Sequence, residues 1–138
     1  MVGSIVESEP VFYSNHEDIP SENWRWDPYF LPEEISSHDD QSILVDSDAL
    51  DTLVRARVLA DTPFIITSAY RSPTHNAAVG GAANSAHLRG IAFDISLSGH
   101  DRERLLGQCQ KAGFGSFGKY STFLHVDTRP GRRWGSWN

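Results

Sequence analysis

The sequence predicts an α+β fold, a small antiparallel sheet with flanking helices in a single domain. Three observations carry this expectation. The chain has 138 residues, about the length of one domain and long enough to bury a core without disulfide staples. Its hydrophobic fraction is 39% and its charged fraction 22%, the balance of a soluble globular protein. Helical and alternating apolar periods follow one another in mixed order with few strands.

Residues 1–35 read as an irregular N-terminal wrap and 36–138 as the core. The wrap holds Pro10, Pro20, Pro28 and Pro32 among many acids, yet Trp24, Trp26, Tyr29, Phe30 and Leu31 sit together in it. A disordered tail rarely carries such aromatic density, so these side chains are expected to dock on the domain, with residues 1–10 loose. Over 47–60, Leu50, Leu53, Val54 and Val58 follow helical spacing, after an acidic start at Ser47, Asp48 and Asp51. Pro63 blocks continuation, and the apolar run from Phe64 to Ala69 reads as a buried strand. Pro73 to Val79 suits a short helix broken by Gly80 and Gly81. In the run 91–97, Ile91, Phe93, Ile95 and Leu97 share one strand face, while Ala92, Asp94 and Ser96 share the other. Ser98 with Asp101 resembles a capping box for a helix over 99–112, with Leu105, Leu106, Cys109 and Ala112 as its buried stripe and Gly113 as its end. Gly115 to Tyr120 and Phe123 to Asp127 read as a hairpin pair.

Charge and cysteine content narrow the functional classes. Twelve basic against eighteen acidic residues give a net charge of −6, which argues against a nucleic-acid partner, since that grip needs a basic surface. No run approaches the ~18 apolar residues of a membrane span. The start, MVGSIVESEPVF, lacks the basic and apolar stretches of a secretory signal. The lone cysteine, Cys109, excludes an intramolecular disulfide framework and a multi-cysteine zinc site. A bound metal would rest on His, Asp or Glu.

Two strands share a feature that bears on chemistry. Leu124 and Val126 point one way while His125 and Asp127 point the other. If both apolar faces pack on the core, Asp94, His125 and Asp127 emerge on the same side of the sheet. His87 stands seven residues before Asp94, in a loop whose Gly90 permits a tight turn into the strand. Two imidazoles and one carboxylate would make a three-ligand zinc site with a fourth position for water, whose pKa zinc lowers to about 7. Many proteins hold a His and an Asp at such a spacing by chance, so the faces alone establish only a polar site.

The run SAYRSPTHNAAVGGAANSAHLRGIAFDI, residues 68–95, resembles the family of zinc D-Ala-D-Ala carboxypeptidases and related phage endolysins. Its S-x-H-x-x-G-x-A-x-D signature stands here as Ser85, His87, Gly90, Ala92 and Asp94, and the later GFGSFGKYSTFLHVDTR, residues 113–129, is similar to the family's second block. The resemblance covers about residues 30–134. It implies a hedgehog-like α+β fold, a zinc ion held by His87, Asp94 and His125, and peptidoglycan stem peptides as substrate. It also implies that Arg71 binds and polarises the scissile carbonyl, and that Ser85 contacts a substrate carboxylate; Tyr120 is a further candidate to donate to the oxyanion. His75, four residues after Arg71, could face the cleft, although a surface or capping role is the plainer reading.

The better-known branches of this family place a Glu or Asp three residues before the last zinc histidine as general base. That position is Thr122 here, beside Ser121. Asp127 is therefore assigned as the base, with orientation of a ligand histidine as its rival role. Trp134 and Trp137 would close the cleft or cap the fold, and Arg129, Arg132 and Arg133 give a basic end that could meet an anionic wall polymer. The expected function is a monomeric zinc peptidase of endolysin type, held in the cytoplasm until release to the cell wall and possibly of phage origin. The alternatives are a D-Ala-D-Ala carboxypeptidase and a metal-containing wall-binding module without activity, which Thr122 favours.

Overall fold

The computed structural model describes residues 9–138; the stretch 1–8, most of the segment expected to be loose, lies outside them. In chain order the elements are β1 (Val11–Tyr13), α1 (Pro32–Ile35), β2 (Ile43–Val45), α2 (Ser47–Ala60), β3 (Ile66–Ser68), α3 (Pro73–Ala78), β4 (Ala92–Ser96), α4 (Arg102–Ala112), β5 (Ser116–Lys119), β6 (Phe123–Asp127) and β7 (Arg133–Gly135). Short 3-10 turns lie at His16–Asp18, Ser21–Asn23 and Ala86–Arg89. This is the α+β class expected. β1 and β2 form a two-stranded antiparallel ribbon, and the main sheet runs β3-β4-β6-β5-β7. All its neighbours are antiparallel except β5 and β7, which are parallel.

Local chemistry sets where the helices begin and end. The Asp46 carboxylate accepts from the Ala49 N–H at 2.9 Å and caps α2, which Asp61 ends in the left-handed region at φ 52°. Ser72 caps α3 by accepting from the His75 N–H at 3.0 Å, with Pro73 at the first helical position. The cap of α4 is Asp101, accepting from the Arg104 N–H at 3.0 Å. The helix thus starts at Arg102 rather than 99. Ser98 takes no part in the cap; its backbone N–H donates to Ser96 Oγ at 3.1 Å.

The apolar face of the sheet carries Phe93, Ile95, Phe117, Leu124 and Val126, all buried. α4 packs on β6 and α2 packs on α4, bringing Leu50, Leu53, Leu105 and Cys109 into the same core. Two expectations fail here. Val58 is 55% exposed, because the core-facing stripe of α2 runs through Ala49, Leu50, Leu53, Ala56 and Ala60 instead. The Phe64–Ala69 run is not a buried strand. Only Ile66–Ser68 pairs, at the sheet edge and with an irregular register, and Ile65 is 60% exposed.

The N-terminal segment is more regular than an irregular wrap, since it supplies β1 and α1. Its anchors are aromatic: Trp24, Trp26 and Phe30 are buried, while Tyr29 and Leu31 stay largely exposed. The Trp24 indole N–H donates to Phe30 O at 2.8 Å, and that of Trp26 donates to Asp51 Oδ1 on α2 at 2.8 Å. Buried indoles require such partners. Neither β1 nor β7 was anticipated, because three-residue strands such as VFY and RWG are too short to show an alternating period.

The packing predicts a clear stability ranking in denaturant titrations. Phe30→Ala should cost roughly 3–5 kcal/mol and Leu53→Ala about 2–5 kcal/mol, the range for emptying a buried site. Val58→Ala should stay within about 0.5 kcal/mol, as for a surface change. A large loss at Val58 would contradict the orientation of α2.

Candidate metal centre

One row across the main sheet lays out the site. Ser68 pairs with Asp94, Asp94 with His125, His125 with Gly118, and Gly118 with Trp134. Residues directly opposite on neighbouring strands share a face, so this row projects to the side away from the core helices. His87 joins it from the 3-10 turn Ala86–Arg89. Ser85 caps that turn by accepting from the His87 N–H at 3.2 Å, and Gly90 ends it at φ 70°. A Cβ at Gly90 would also stand 2.6 Å from Leu44 O, so glycine is required there for conformation and for space.

His87, Asp94 and His125 are all buried, and one ligand atom from each lies within 4.8 Å of the others. Each imidazole has one nitrogen committed elsewhere. His87 Nδ1–H donates to Ala69 O at 2.6 Å, and His125 Nε2–H donates to Asp127 Oδ2 at 2.7 Å, tautomers assigned from these acceptors. The remaining nitrogens converge on Asp94 Oδ1: His125 Nδ1 at 3.0 Å and His87 Nε2 at 3.3 Å. The His87 contact is out of line for a hydrogen bond. Nε2 is the one buried side-chain polar atom among the described residues with no hydrogen-bond partner. An unpartnered imidazole lone pair aimed at a buried carboxylate calls for a cation between them. The cluster could therefore hold a metal ion, and its two imidazoles and one carboxylate suit zinc.

The electrostatics agree with that demand. Burial alone would raise the Asp94 carboxyl, but the neighbouring His125 and His87 outweigh it and hold it down at about 2. For His125, burial would lower the imidazole pKa, but contact with Asp127 and then Asp94 outweighs this and raises it.

The flanking residues fall into clear places. Arg71 sits at the edge, Nη2 3.5 Å from Asp94 Oδ2, with Nε donating to Ser68 Oγ at 3.2 Å and Nη1 to Asn76 Oδ1 at 3.3 Å. It opens, with Ser85, Tyr120 and Trp134, on a cleft of about 920 Å³ that contains the three-residue cluster. Tyr120 stacks on Phe123 at 4.3 Å, and its hydroxyl accepts from Trp134 Nε1 at 2.8 Å, leaving its own hydrogen to donate. The Trp134 ring centroid lies 4.9 Å from that of His125. It reaches there by occupying the space over Gly118, where any Cβ would collide with the indole. Trp137 caps the fold instead, donating to Tyr120 O at 2.8 Å. His75 lies outside the cleft lining, its ring 5.7 Å from that of His38.

Asp127 does not occupy the position expected of a general base. It is fully buried behind His125. Its Oδ2 is held by His125 and by Arg129 Nη2 at 2.8 Å, and its Oδ1 accepts from Arg129 Nε at 3.0 Å and from the Arg129 N–H at 2.9 Å. It contacts the imidazole nitrogen turned away from the cluster. Nor is Arg129 a free cation of a basic tail, since this pair engages its fork. Ser68, Asn76, Gly118 and Arg129 belong to the site and were not singled out for these roles. Only the place of Ser68 in a strand beside Asp94 could have marked one of them.

No curated protein matches the chain. A family model described as Peptidase M15 matches residues 28–127, a span that holds Arg71, Ser85, His87, Asp94 and His125 on one face of the molecule. With most of its length matched and the ligand cluster assembled inside the matched span, this chain belongs to the peptidase M15 family, which implies a metallopeptidase.

Proposed function

We propose that the protein is a zinc-dependent peptidase that hydrolyses amide bonds in peptidoglycan stem peptides, as an endolysin-type lytic enzyme reaching the wall after release from the cytoplasm. The observation that carries this reading is the unpartnered His87 Nε2 beside Asp94 and His125 at the floor of an open cleft. Zinc, when bound by His87 Nε2, Asp94 and His125 Nδ1, would supply Lewis acidity and a water ligand of near-neutral pKa.

The chain's own groups account for binding and orientation. Arg71, anchored by Ser68 and Asn76, holds a planar charge at the cleft edge where a scissile carbonyl oxygen becomes negative. The Tyr120 hydroxyl offers a second donor in the same cleft lining. Asp127, fixed by Arg129, holds the His125 ring so that Nδ1 faces Asp94. This supports the orienting role for Asp127 over the role of base. Among the described residues Asp94 is the one carboxylate in the cleft lining, so no second acid is assigned as proton acceptor. That same observation favours one alternative, a wall-binding module that holds the metal without turning substrate over. Digestion of purified peptidoglycan with mass analysis of the fragments, with and without chelator, separates the two. New fragments that vanish with chelator support the peptidase, and intact polymer in both supports the module.

Metal analysis should give one zinc per chain, lost in the His87→Ala, His125→Ala double variant; retention of stoichiometric zinc there would place the metal elsewhere. Arg71→Ala should keep the zinc and lower kcat on the order of a hundredfold, the worth of one oxyanion donor, and a near-normal kcat would remove that role. Asp127→Asn should weaken zinc affinity ~10–100-fold with activity restored by excess zinc. A loss of kcat that added zinc does not rescue would return Asp127 to the role of base.

A further inference from the structure

Arg71 is held at the cleft by a segment distant from it in sequence. Residues 70–72 follow β3, and each of their backbone N–H groups finds a partner outside the sheet. Tyr70 N–H donates to Ile35 O at 3.1 Å, Arg71 N–H to His87 O at 3.2 Å and Ser72 N–H to Ser37 Oγ at 2.9 Å. Two of these partners belong to the end of α1 and the turn after it. That turn is closed on itself: Ser37 N–H donates to Ser42 O at 2.7 Å and Gln41 N–H to Ser37 O at 2.9 Å, with Gln41 at φ 64°.

The turn presents Asp39. Its Oδ1 accepts from the Ser37 hydroxyl at 2.7 Å and its Oδ2 from the Ser72 hydroxyl at 2.8 Å. Both serines are buried. Each of their hydroxyl oxygens also accepts from a backbone N–H, Ser37 from Ser72 and Ser72 from His75 at the start of α3. A carboxylate only accepts, so Asp39 draws both hydroxyl protons to itself and leaves the serine lone pairs turned to those N–H groups. The hydrogen bond from Ser37, with that from Ser72 adding to it, holds the Asp39 carboxyl down at about 2, so both oxygens stay acceptors across the neutral range.

The linkage continues through α3 to the guanidinium. Asn76 N–H donates to Ser72 O at 2.9 Å. Its buried side chain accepts from Arg71 Nη1 at 3.3 Å, while its Nδ2 donates to Ala82 O at 2.9 Å. Gly81 closes over this contact: a Cβ there would collide with Asn76 Oδ1 and stand 3.0 Å from Arg71 Nη1. A shift of Ser72 therefore moves the start of α3, and with it the amide oxygen that aims Arg71.

We infer that Asp39, which lies outside the cleft lining, is a positioning residue for Arg71: it locks Ser37 and Ser72 so that α3 and Asn76 hold the guanidinium beside Asp94. The inference rests on the peptidase reading for what Arg71 does in turnover, but not for how Arg71 is held.

The test is NMR of the zinc-loaded protein with isotope-labelled arginine, read at Arg71 Nε–H, alongside kcat and KM on peptidoglycan fragments. In the unaltered protein Arg71 Nε–H, bonded to Ser68 Oγ, should exchange slowly with water. Asp39 is exposed, and Asp39→Ala should keep the zinc and the amide signals of β4 and β6 while Arg71 Nε–H exchanges faster. Its kcat should fall roughly 10- to 100-fold with KM little changed, the worth of a small displacement of a catalytic group. In the Arg71→Ala background the same substitution should lower kcat no further, because residues that act through one another are not additive. Asp39→Asn, which keeps one acceptor oxygen, should show the same effects in smaller degree, and it carries the test if the alanine variant unfolds. An unmoved Arg71 signal overturns the inference, even where the melting temperature drops. So does a kcat loss that persists in full without Arg71. A faster-exchanging Arg71 with unchanged kcat leaves the clamp standing and removes Arg71 from turnover. If no protein cleaves the fragments, the peptidase reading falls and the Arg71 signal still decides the clamp.

Discussion

The carboxylate of Asp94, buried near the middle of a β-sheet, is the charge around which the site is arranged. Taking an ionised carboxylate out of water is costly unless positive charge and hydrogen bonds surround it. Arg71 approaches one oxygen at 3.5 Å, and two imidazole nitrogens approach the other. Neither imidazole can turn away, since Ala69 O holds the far nitrogen of His87 and Asp127 holds that of His125. The result is a concentration of negative potential between two lone pairs, a position that attracts a proton or a metal and that no side-chain donor of the protein fills on the His87 side.

The scaffold reaches this arrangement through register. Because Asp94 and His125 are paired across β4 and β6, a two-residue slip of either strand would separate them, and a one-residue slip would send one into the apolar core. The buried faces of Phe93, Ile95, Leu124 and Val126 make such slips costly. The next strand contributes an absence: Gly118 leaves the space in which Trp134 lies over the sheet to meet His125. Two rows of side chains thus support one ligand, the indole on its face and the Asp127–Arg129 pair at its edge.

Much of this was legible in the sequence, for definite reasons. The alternation in IAFDISL and FLHVD is strong, and it places Asp94 and His125 on one face by period alone. His87 was legible through its turn, because Gly90 marks where the chain must bend. The resemblance brought in Arg71 and Ser85, and the structure places both in the cleft. What stayed hidden depended on pairing between distant segments. The Phe64–Ala69 run has the composition of a buried strand, yet only β4 pairs with it, so Ile65 faces solvent while Ile66 is only partly buried against the core. The orienting contact of Asp127 stayed hidden because a shared strand face gives proximity to His125 without saying which imidazole nitrogen it meets. Arg129, two residues on, holds both oxygens of that carboxylate. The tail RRWGSWN shows no alternating period, and nothing in it announces a parallel strand beside β5.

The central claim is that His87, Asp94 and His125 together bind one metal ion through His87 Nε2, an Asp94 oxygen and His125 Nδ1. X-ray absorption spectroscopy of the zinc-loaded protein tests it most directly. The account predicts a four-coordinate shell of nitrogen and oxygen at about 2.0–2.1 Å, with the outer-shell scattering of two imidazoles and no sulfur. A shell with one imidazole or none, or with a sulfur scatterer, would contradict it.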